Sequence, residues 1–165
     1  MIWNRKGTYY RVLDSRQGDA VSVHIKATRK SIYVTHFTNV VPDEMYQTSM
    51  LERLRKGIHI TRIVAREPKA HSDQYEWLKA YKADKNVKKN YTQIDMKGPA
   101  VLPIDIFILD EKTVVLHFPR EVMNGHFQSA IVMQNEHVAR LFQTLFERIR
   151  IAADASAGGT AEGNS

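Results

Sequence analysis

The sequence contains no cysteine among its 165 residues, which excludes a disulfide framework and a zinc site with thiolate ligands. No apolar run approaches the roughly 20 residues that a membrane-spanning helix requires, and the N-terminal residues lack the apolar core of a secretory signal. A Gly-rich phosphate loop, a His-Glu-x-x-His motif and a Gly-x-Ser-x-Gly motif are also missing. We therefore expect a cytoplasmic protein with no cofactor, no metal site and no membrane partner.

The composition is that of one soluble globular domain with a basic charge balance. Hydrophobic residues make up 43% of the chain and charged residues 25%. Lys and Arg number 24 against 18 Asp and Glu, for a net charge of +6. This excess favours an anionic partner, either a small molecule or nucleic acid. A generally basic, solvated surface accounts for the same excess equally well.

One stretch of the chain predicts a strand, a helix and a second strand in succession. Residues 31–37 are β-branched and aromatic, which is typical of a strand. Pro42 and Asp43 open an amphipathic helix, and Gly57 stands where a helix needs a left-handed residue to end. Residues 58–65 follow as an apolar strand. A connection of this length predicts a right-handed crossover between parallel strands.

Further elements are predicted along the rest of the chain: a helix at 18–30, a helix at 72–85, a strand at 90–96, a hairpin at 103–118, a strand at 129–133 and a helix capped by Asn135. Residues 18–30 also alternate as a strand does, and we favour the helix. The expected fold class is α/β, a mixed, largely parallel sheet with helices on its faces. Residues 1–153 form one domain, and the small, polar residues 154–165 form a disordered tail.

Three stretches resemble the phospholipase D-like domain, over about residues 19–150: "RKSIYVTHF", "LERLRKGIHITRIVARE" and "PIDIFILDEKTVVLHF". Active members of that family carry His-x-Lys-x4-Asp on the first strand of the hairpin, with a nucleophilic histidine and a phosphate-holding lysine. If Asp110 matches the motif's aspartate, the histidine falls on Pro103 and the lysine on Asp105. Proline carries no nucleophile, and a carboxylate repels phosphate. The resemblance therefore implies a single phospholipase D-like half, in which the motif is degenerate and no catalytic residues remain.

Five residues are candidates for binding a ligand: His36, Arg66, Asp105, Asp110 and His117. Ligands of open α/β sheets lie beyond the carboxyl ends of parallel strands, where His36 and Arg66 follow the two predicted strands. The resemblance brings Asp105 and His117 to the same region, where such a group can bind an anion. Alternatively, the histidines only fill space, and Asp110 is only a turn residue.

Residues 75–91 interleave aromatic rings with lysines, and we expect them to form a basic helix. The candidate nucleic-acid contacts are Lys82, Lys85 and Lys89, with aromatic rings such as Trp77 to stack on bases. An amphipathic helix with buried aromatics and a solvated lysine face is the alternative.

Three functions remain open. The first is a ligand-sensing, regulatory or interaction module without catalysis, which the missing motif residues favour. The second is a diverged phosphodiesterase or nuclease in which His36 or His117 is the nucleophile, within a homodimer. The third is a nucleic-acid-binding module that uses the helix at 75–91.

Overall fold

The structure, a computed structural model, describes residues 2–3, 9–13, 19–37, 44–66, 84–97, 104–118 and 129–158, and the statements below concern these residues. Their elements, in chain order, are β1 (Ile2–Trp3), β2 (Tyr9–Leu13), α1 (Asp19–Ala27), β3 (Ser31–His36), α2 (Glu44–Arg55), β4 (His59–Arg66), α3 (Lys85–Asn90), β5 (Tyr91–Lys97), β6 (Asp105–Leu109), β7 (Thr113–Phe118), β8 (Ser129–Gln134) and α4 (Glu136–Gly158). The predicted helix at 18–30 is confirmed as α1. Most of the helix predicted at 72–85 lies outside the described residues.

All eight strands belong to one mixed sheet, in the order β1-β2-β8-β7-β6-β3-β4-β5. The predicted parallel pairing of β3 with β4 is confirmed, and β4 pairs with β5 in the same way. The other described pairings are antiparallel. The α/β class and the mixed sheet are therefore confirmed, but the expectation of a largely parallel sheet is wrong. The tight β6–β7 turn imposes antiparallel pairing, and β1 and β2 were not predicted from the sequence.

The crossover from β3 to β4 aligns their carboxyl ends at one edge of the sheet. Gly57 has a φ of 82° and ends α2 as expected, since only glycine adopts this conformation without strain. Ser31 is the register partner of His59, and His36 that of Val64. Side chains at the carboxyl ends of β3 and β4 therefore lie at the same edge of the sheet.

The helices cover the sheet on both faces and enclose two apolar clusters. On the first face, α1, α2 and α3 pack over Ile32, Val34, Ile60 and Phe107. On the second face, α4 packs over Ile63, Ile106, Ile108 and Val114 through residues such as Phe146. Phe142 also packs against this second cluster, whereas Leu141 and Leu145 of the same helix are exposed. No helix within the described ranges is long and apolar enough to cross a membrane.

The C-terminal helix is longer than the sequence predicted. Asn135 caps it as expected, because its Oδ1 accepts hydrogen bonds from the backbone N–H groups of His137 and Val138, at 2.9 and 3.1 Å. The helix runs to Gly158, and Ala153 is fully buried against the sheet. Residues 154–158 are thus helical where a disordered tail was expected. Burial of Ala153 keeps the last turns on the sheet, and residues 159–165 lie outside the described part.

The lysine-rich segment forms a short, separate helix. Asp84 is the N-cap of α3, and its carboxylate accepts hydrogen bonds from the N–H groups of Asn86 and Val87. Tyr91 already belongs to β5. The expectation of one helix over residues 75–91 is therefore wrong, because Asp84 starts a new helix and the strand begins at Tyr91.

Candidate functional site

Two histidines and an aspartate meet at the edge where the parallel strands end. His36 ends β3, Asp105 begins β6, and His117 lies opposite Asp105 in the antiparallel β6–β7 pair. Because side chains alternate along a strand, His36 points to the same face as Ile32 and Val34, beneath α1 and α2. The three candidates His36, Asp105 and His117 are thus brought together, and we call them the histidine–aspartate cluster.

The carboxylate of Asp105 is the centre of this cluster. Its Oδ1 accepts a hydrogen bond from the backbone N–H of Phe37, at 2.8 Å. Its Oδ2 lies 3.5 Å from Nδ1 of His36 and 3.7 Å from Nδ1 of His117. Asp105 is only 3% exposed. A buried carboxylate requires such partners, because desolvation without compensation is costly.

The geometry determines what each imidazole can offer to a ligand. A carboxylate that faces Nδ1 orients the imidazole ring and directs Nε2 away from that carboxylate. The side chain of His117 is 15% exposed and that of His36 is 5% exposed, so His117 is the more accessible. With both histidines neutral the cluster carries one negative charge, and with both protonated it carries one positive charge. The described residues include no three His, Asp or Glu side chains arranged as metal ligands.

Arg66 lies at the same edge of the sheet. It ends β4, two residues beyond Val64, which is the register partner of His36. Its own register partner in β5 is Lys97. The backbone positions therefore agree with the predicted placement of Arg66, and its side chain lies outside the described part of the structure.

Asp110 lies at the opposite edge and is not part of the cluster. β6 spans five residues from Asp105 to Leu109, so Asp110 is roughly 15 Å from Asp105. Its carboxylate accepts hydrogen bonds from the backbone N–H groups of Arg29, Lys30 and Ser31, at 2.6 to 3.2 Å. These bonds hold the turn before β3, which is a structural role. The structure thus separates this predicted ligand residue from the other four.

Contrary to the prediction from the sequence, the candidate nucleic-acid contacts do not all lie on one described helix. Lys85 and Lys89 are exposed on α3, and Lys82 lies outside the described residues. Tyr91 is partly buried, and its hydroxyl donates a hydrogen bond to Oε1 of Gln93, at 3.0 Å. Its ring is therefore poorly placed to stack on a base.

Sequence reasoning missed a polar row beside a buried arginine. Arg62 is fully buried on the first face, and its register neighbour in β5 is Gln93. Tyr91, Gln93 and Asp95 form a hydrogen-bonded row along the same face of β5. Burial raises the pKa of the Tyr91 hydroxyl, and the nearby Arg62 guanidinium opposes that rise. The alternation of polar residues in "YTQID" was the available signal.

Comparison with known proteins gives matches in structure but not in sequence. No family model matches the chain, and neither does any curated protein. NucT from Helicobacter pylori matches with a TM-score of 0.66 and 12% identity, over 86% of this chain and 95% of NucT. Nuc from Salmonella typhimurium, a phospholipase D family member, matches with a TM-score of 0.60 and 14% identity, over 86% of this chain and 93% of Nuc.

A third match extends the range of proteins that share this architecture. TrmBL2, an archaeal chromatin protein, matches with a TM-score of 0.60 and 11% identity, over 88% of this chain and 53% of TrmBL2. Identities this low establish the fold alone. This protein has the α/β fold of the phospholipase D-like proteins.

Proposed function

We propose that this protein is a non-catalytic phospholipase D-like domain that acts as a ligand-binding, regulatory module. The observation that carries the proposal is the position of the Asp105 carboxylate. The resemblance aligns Asp105 with the lysine that holds phosphate oxygens in active relatives. Here a carboxylate stands in that place, facing two imidazoles and a backbone N–H as a bound anion would.

The residues at two aligned motif positions oppose phosphoryl chemistry. Phosphodiester cleavage through a covalent intermediate needs a nucleophile and cations that stabilise the charge on the phosphate oxygens. The aligned nucleophile position is Pro103, and the aligned cation position carries the negative charge of Asp105. Loss of a nucleophile alone typically lowers kcat by about a millionfold.

The fold itself does not require catalysis. Its structural matches include a phospholipase D family member and an archaeal chromatin protein with a novel mode of DNA binding. Function therefore depends on the residues at the site rather than on the fold. For this chain, we infer a small anion as the ligand, bound through Nε2 of the more accessible His117 when that imidazole is protonated.

Ligand binding is tested by thermal unfolding at mildly acidic pH with pyrophosphate as the probe. A ligand at 100 times its Kd stabilises the folded state by about 2.7 kcal/mol, so the melting temperature should rise. His117→Gln should abolish the rise, whereas His137→Gln, at an exposed position on α4, should preserve it. An equal rise in all three proteins would contradict binding at the cluster.

Catalysis is tested with an activated phosphodiester and with single-stranded DNA. We expect no turnover above background from the purified protein. Turnover that disappears in His36→Ala or His117→Ala would overturn the proposal. Weak turnover that persists in both variants would identify a contaminating enzyme and leave the proposal standing.

One observation favours a second function, a diverged phosphodiesterase. The Asp105 carboxylate faces Nδ1 of His117, the more accessible histidine, an orientation in which Nε2 can act as the nucleophile. The resemblance implies that such an enzyme is a homodimer in which two histidines meet. The same activity assay decides between the two functions, and sedimentation would then show whether the active form is the dimer.

A further inference from the structure

A basic surface lies at the edge of the sheet where β3, β4 and β5 begin. Three segments enter the sheet there: the turn between α1 and β3, the turn between α2 and β4, and the helix α3. Their exposed cations are Arg29, Lys30, Lys56, Lys85, Lys88 and Lys89. We call this set the basic edge. It lies at the opposite end of the strands from the histidine–aspartate cluster, so it belongs to a different surface from the proposed anion site.

Hydrogen bonds between side chains and backbone hold the three segments of the basic edge together. Nη1 of Arg53, on α2, donates a hydrogen bond to the carbonyl oxygen of Thr28 in the α1–β3 turn, at 3.2 Å. Nδ2 of Asn90, on α3, donates to the carbonyl oxygen of Leu54, at 3.2 Å. Because neighbouring strands are about 4.8 Å apart, the starts of β3 and β5 are separated by roughly 10 Å. The cations therefore lie on one continuous surface.

The carboxylates near this edge leave most of its cations uncompensated. Asp84 pairs with Arg55, at 3.2 Å, and also caps α3. The Asp110 carboxylate is occupied by three backbone N–H groups. Within the described part of the chain, no carboxylate lies within ion-pair distance of the six residues that define the basic edge. Such a concentration of unpaired cations attracts a polyanion.

The side chains of the basic edge favour a duplex over a single strand. Proteins that bind single strands supply aromatic rings on which bases stack. Among the described residues, the aromatic side chain next to α3 is that of Tyr91, which is partly buried with its hydroxyl bonded to Gln93. Lysine and arginine side chains that contact only phosphates do not read bases. We propose that the basic edge binds the phosphate backbone of double-stranded nucleic acid without sequence preference.

The test measures binding of the full chain to a short labelled DNA duplex by fluorescence anisotropy over a range of salt concentrations. Each phosphate contact contributes about 0.9 to the slope of log K against log salt. One contact therefore raises the affinity about eightfold at 0.1 M salt relative to 1 M salt. K85E/K89E should therefore bind at least about 50-fold more weakly and should reduce the slope by about 2.

The matched control is R140E/R148E, which makes the same charge change at exposed positions of α4, on the other face of the sheet. It should keep the affinity within about threefold, because it removes no phosphate contact. Equal losses of affinity in the two double variants would show that only net charge matters and would overturn the proposal. Circular dichroism verifies folding, and K85Q/K89Q replaces the reversal if that variant does not fold.

Further measurements define the surface and the ligand of duplex binding. His36→Gln combined with His117→Gln should leave duplex binding unchanged, so failure of the anion-site proposal does not affect this one. Tighter binding to a single strand of the same length would overturn the duplex assignment. Binding to phosphatidylserine vesicles without binding to the duplex would overturn the nucleic-acid assignment.

Discussion

Two aspartates of the β6–β7 hairpin have different roles because β6 carries them to opposite edges of the sheet. Asp105 begins the strand and lies between two histidines, whereas Asp110 follows the strand and holds the turn before β3. Both are carboxylates with several hydrogen-bond donors or imidazoles around them. Their consequences for function differ because Asp105 faces two imidazole rings, whereas Asp110 accepts hydrogen bonds from backbone N–H groups.

Asp110→Ala should destabilise the fold by about 1.5–3 kcal/mol, because a charged acceptor of backbone N–H groups is lost. The matched control is Glu111→Ala. Glu111 also has a positive φ, of 58° against 54° for Asp110, so the backbone strain of alanine is similar in both variants. Urea unfolding gives the two free energies. Equal losses in the two variants would show that backbone strain, and not the hydrogen bonds, sets the effect.

Asp105→Ala should cost about 1–3 kcal/mol, because the backbone N–H of Phe37 is buried and loses its acceptor. Asp105→Asn keeps an oxygen at that position and should cost less. Chemical unfolding of both variants measures the difference. An asparagine variant as unstable as the alanine variant would show that the charge beside the histidines contributes more than the bond to Phe37.

At the scale of the element, α4 shows how one helix divides its residues between core and solvent. Phe146 is 2% exposed and makes an edge-on contact with Tyr33, with ring centroids 5.3 Å apart. Leu141 on the same helix is 68% exposed. Hydrophobicity alone therefore did not decide which apolar residues of α4 are buried.

Phe146→Ala should destabilise the protein by about 3–5 kcal/mol, as expected for a buried aromatic side chain. Leu141→Ala should change the stability by less than about 0.5 kcal/mol, because the residue is exposed and alanine favours a helix. Denaturant unfolding compares them. A large loss in Leu141→Ala would indicate that this exposed side chain is buried in an oligomer.

The N-cap of α3 gives a pH dependence with a definite sign. A hydrogen bond from the Arg55 side chain holds the pKa of Asp84 below its usual 3.8, helped by the N–H groups of Asn86 and Val87, while desolvation acts the other way. The folded state thus favours the ionised carboxylate. The stability from this group is present above pH 3.8 and is lost as the pH falls through the lower pKa of the folded state.

Asp84→Asn should therefore flatten the part of the stability curve below about pH 4, since asparagine can cap the helix but does not titrate. Thermal unfolding of the two proteins would be compared from about pH 2 to about pH 7, a range that includes the pKa of about 3.9 that Asp has in peptides. Identical curves would mean that the ion pair with Arg55 contributes nothing to the acid dependence.

At the scale of the whole molecule, one sheet separates two chemically different edges. The histidine–aspartate cluster lies at the edge where the parallel strands end. The six cations of the basic edge lie where those strands begin. The helix α4 runs along the second face and keeps the sheet covered as far as Ala153. Both proposals can therefore be tested independently in one folded chain.

Truncation tests how far the folded unit extends. A chain that ends at Gly158 should keep the melting temperature of the full chain. A chain that ends at Ala152 loses the buried Ala153 and the last turns of α4, which we expect to cost about 1 kcal/mol or about 2–4 °C. An unchanged melting temperature after the second truncation would show that residues 153–158 add nothing to stability.

Local patterns in the sequence were enough to predict most elements. The β-branched and aromatic residues at 31–37, the glycine at position 57 and the cap at Asn135 each depend on interactions within a few residues, and all three predictions are confirmed. The histidine–aspartate cluster was predicted only as a shared region. Parallel strands end at one edge, and the resemblance supplied the position of Asp105 and His117.

Only the tertiary structure decided the pairing of strands and the partners of individual polar groups. The antiparallel majority of the sheet depends on contacts between distant parts of the chain, such as β2 with β8, for which no local pattern exists. Asp110 reaches the N–H groups of residues 29–31 across some eighty positions of sequence. The sequence determined which residues could form helices and strands, because those preferences are local. The packing of the sheet decided which charges meet, because that depends on distance in space.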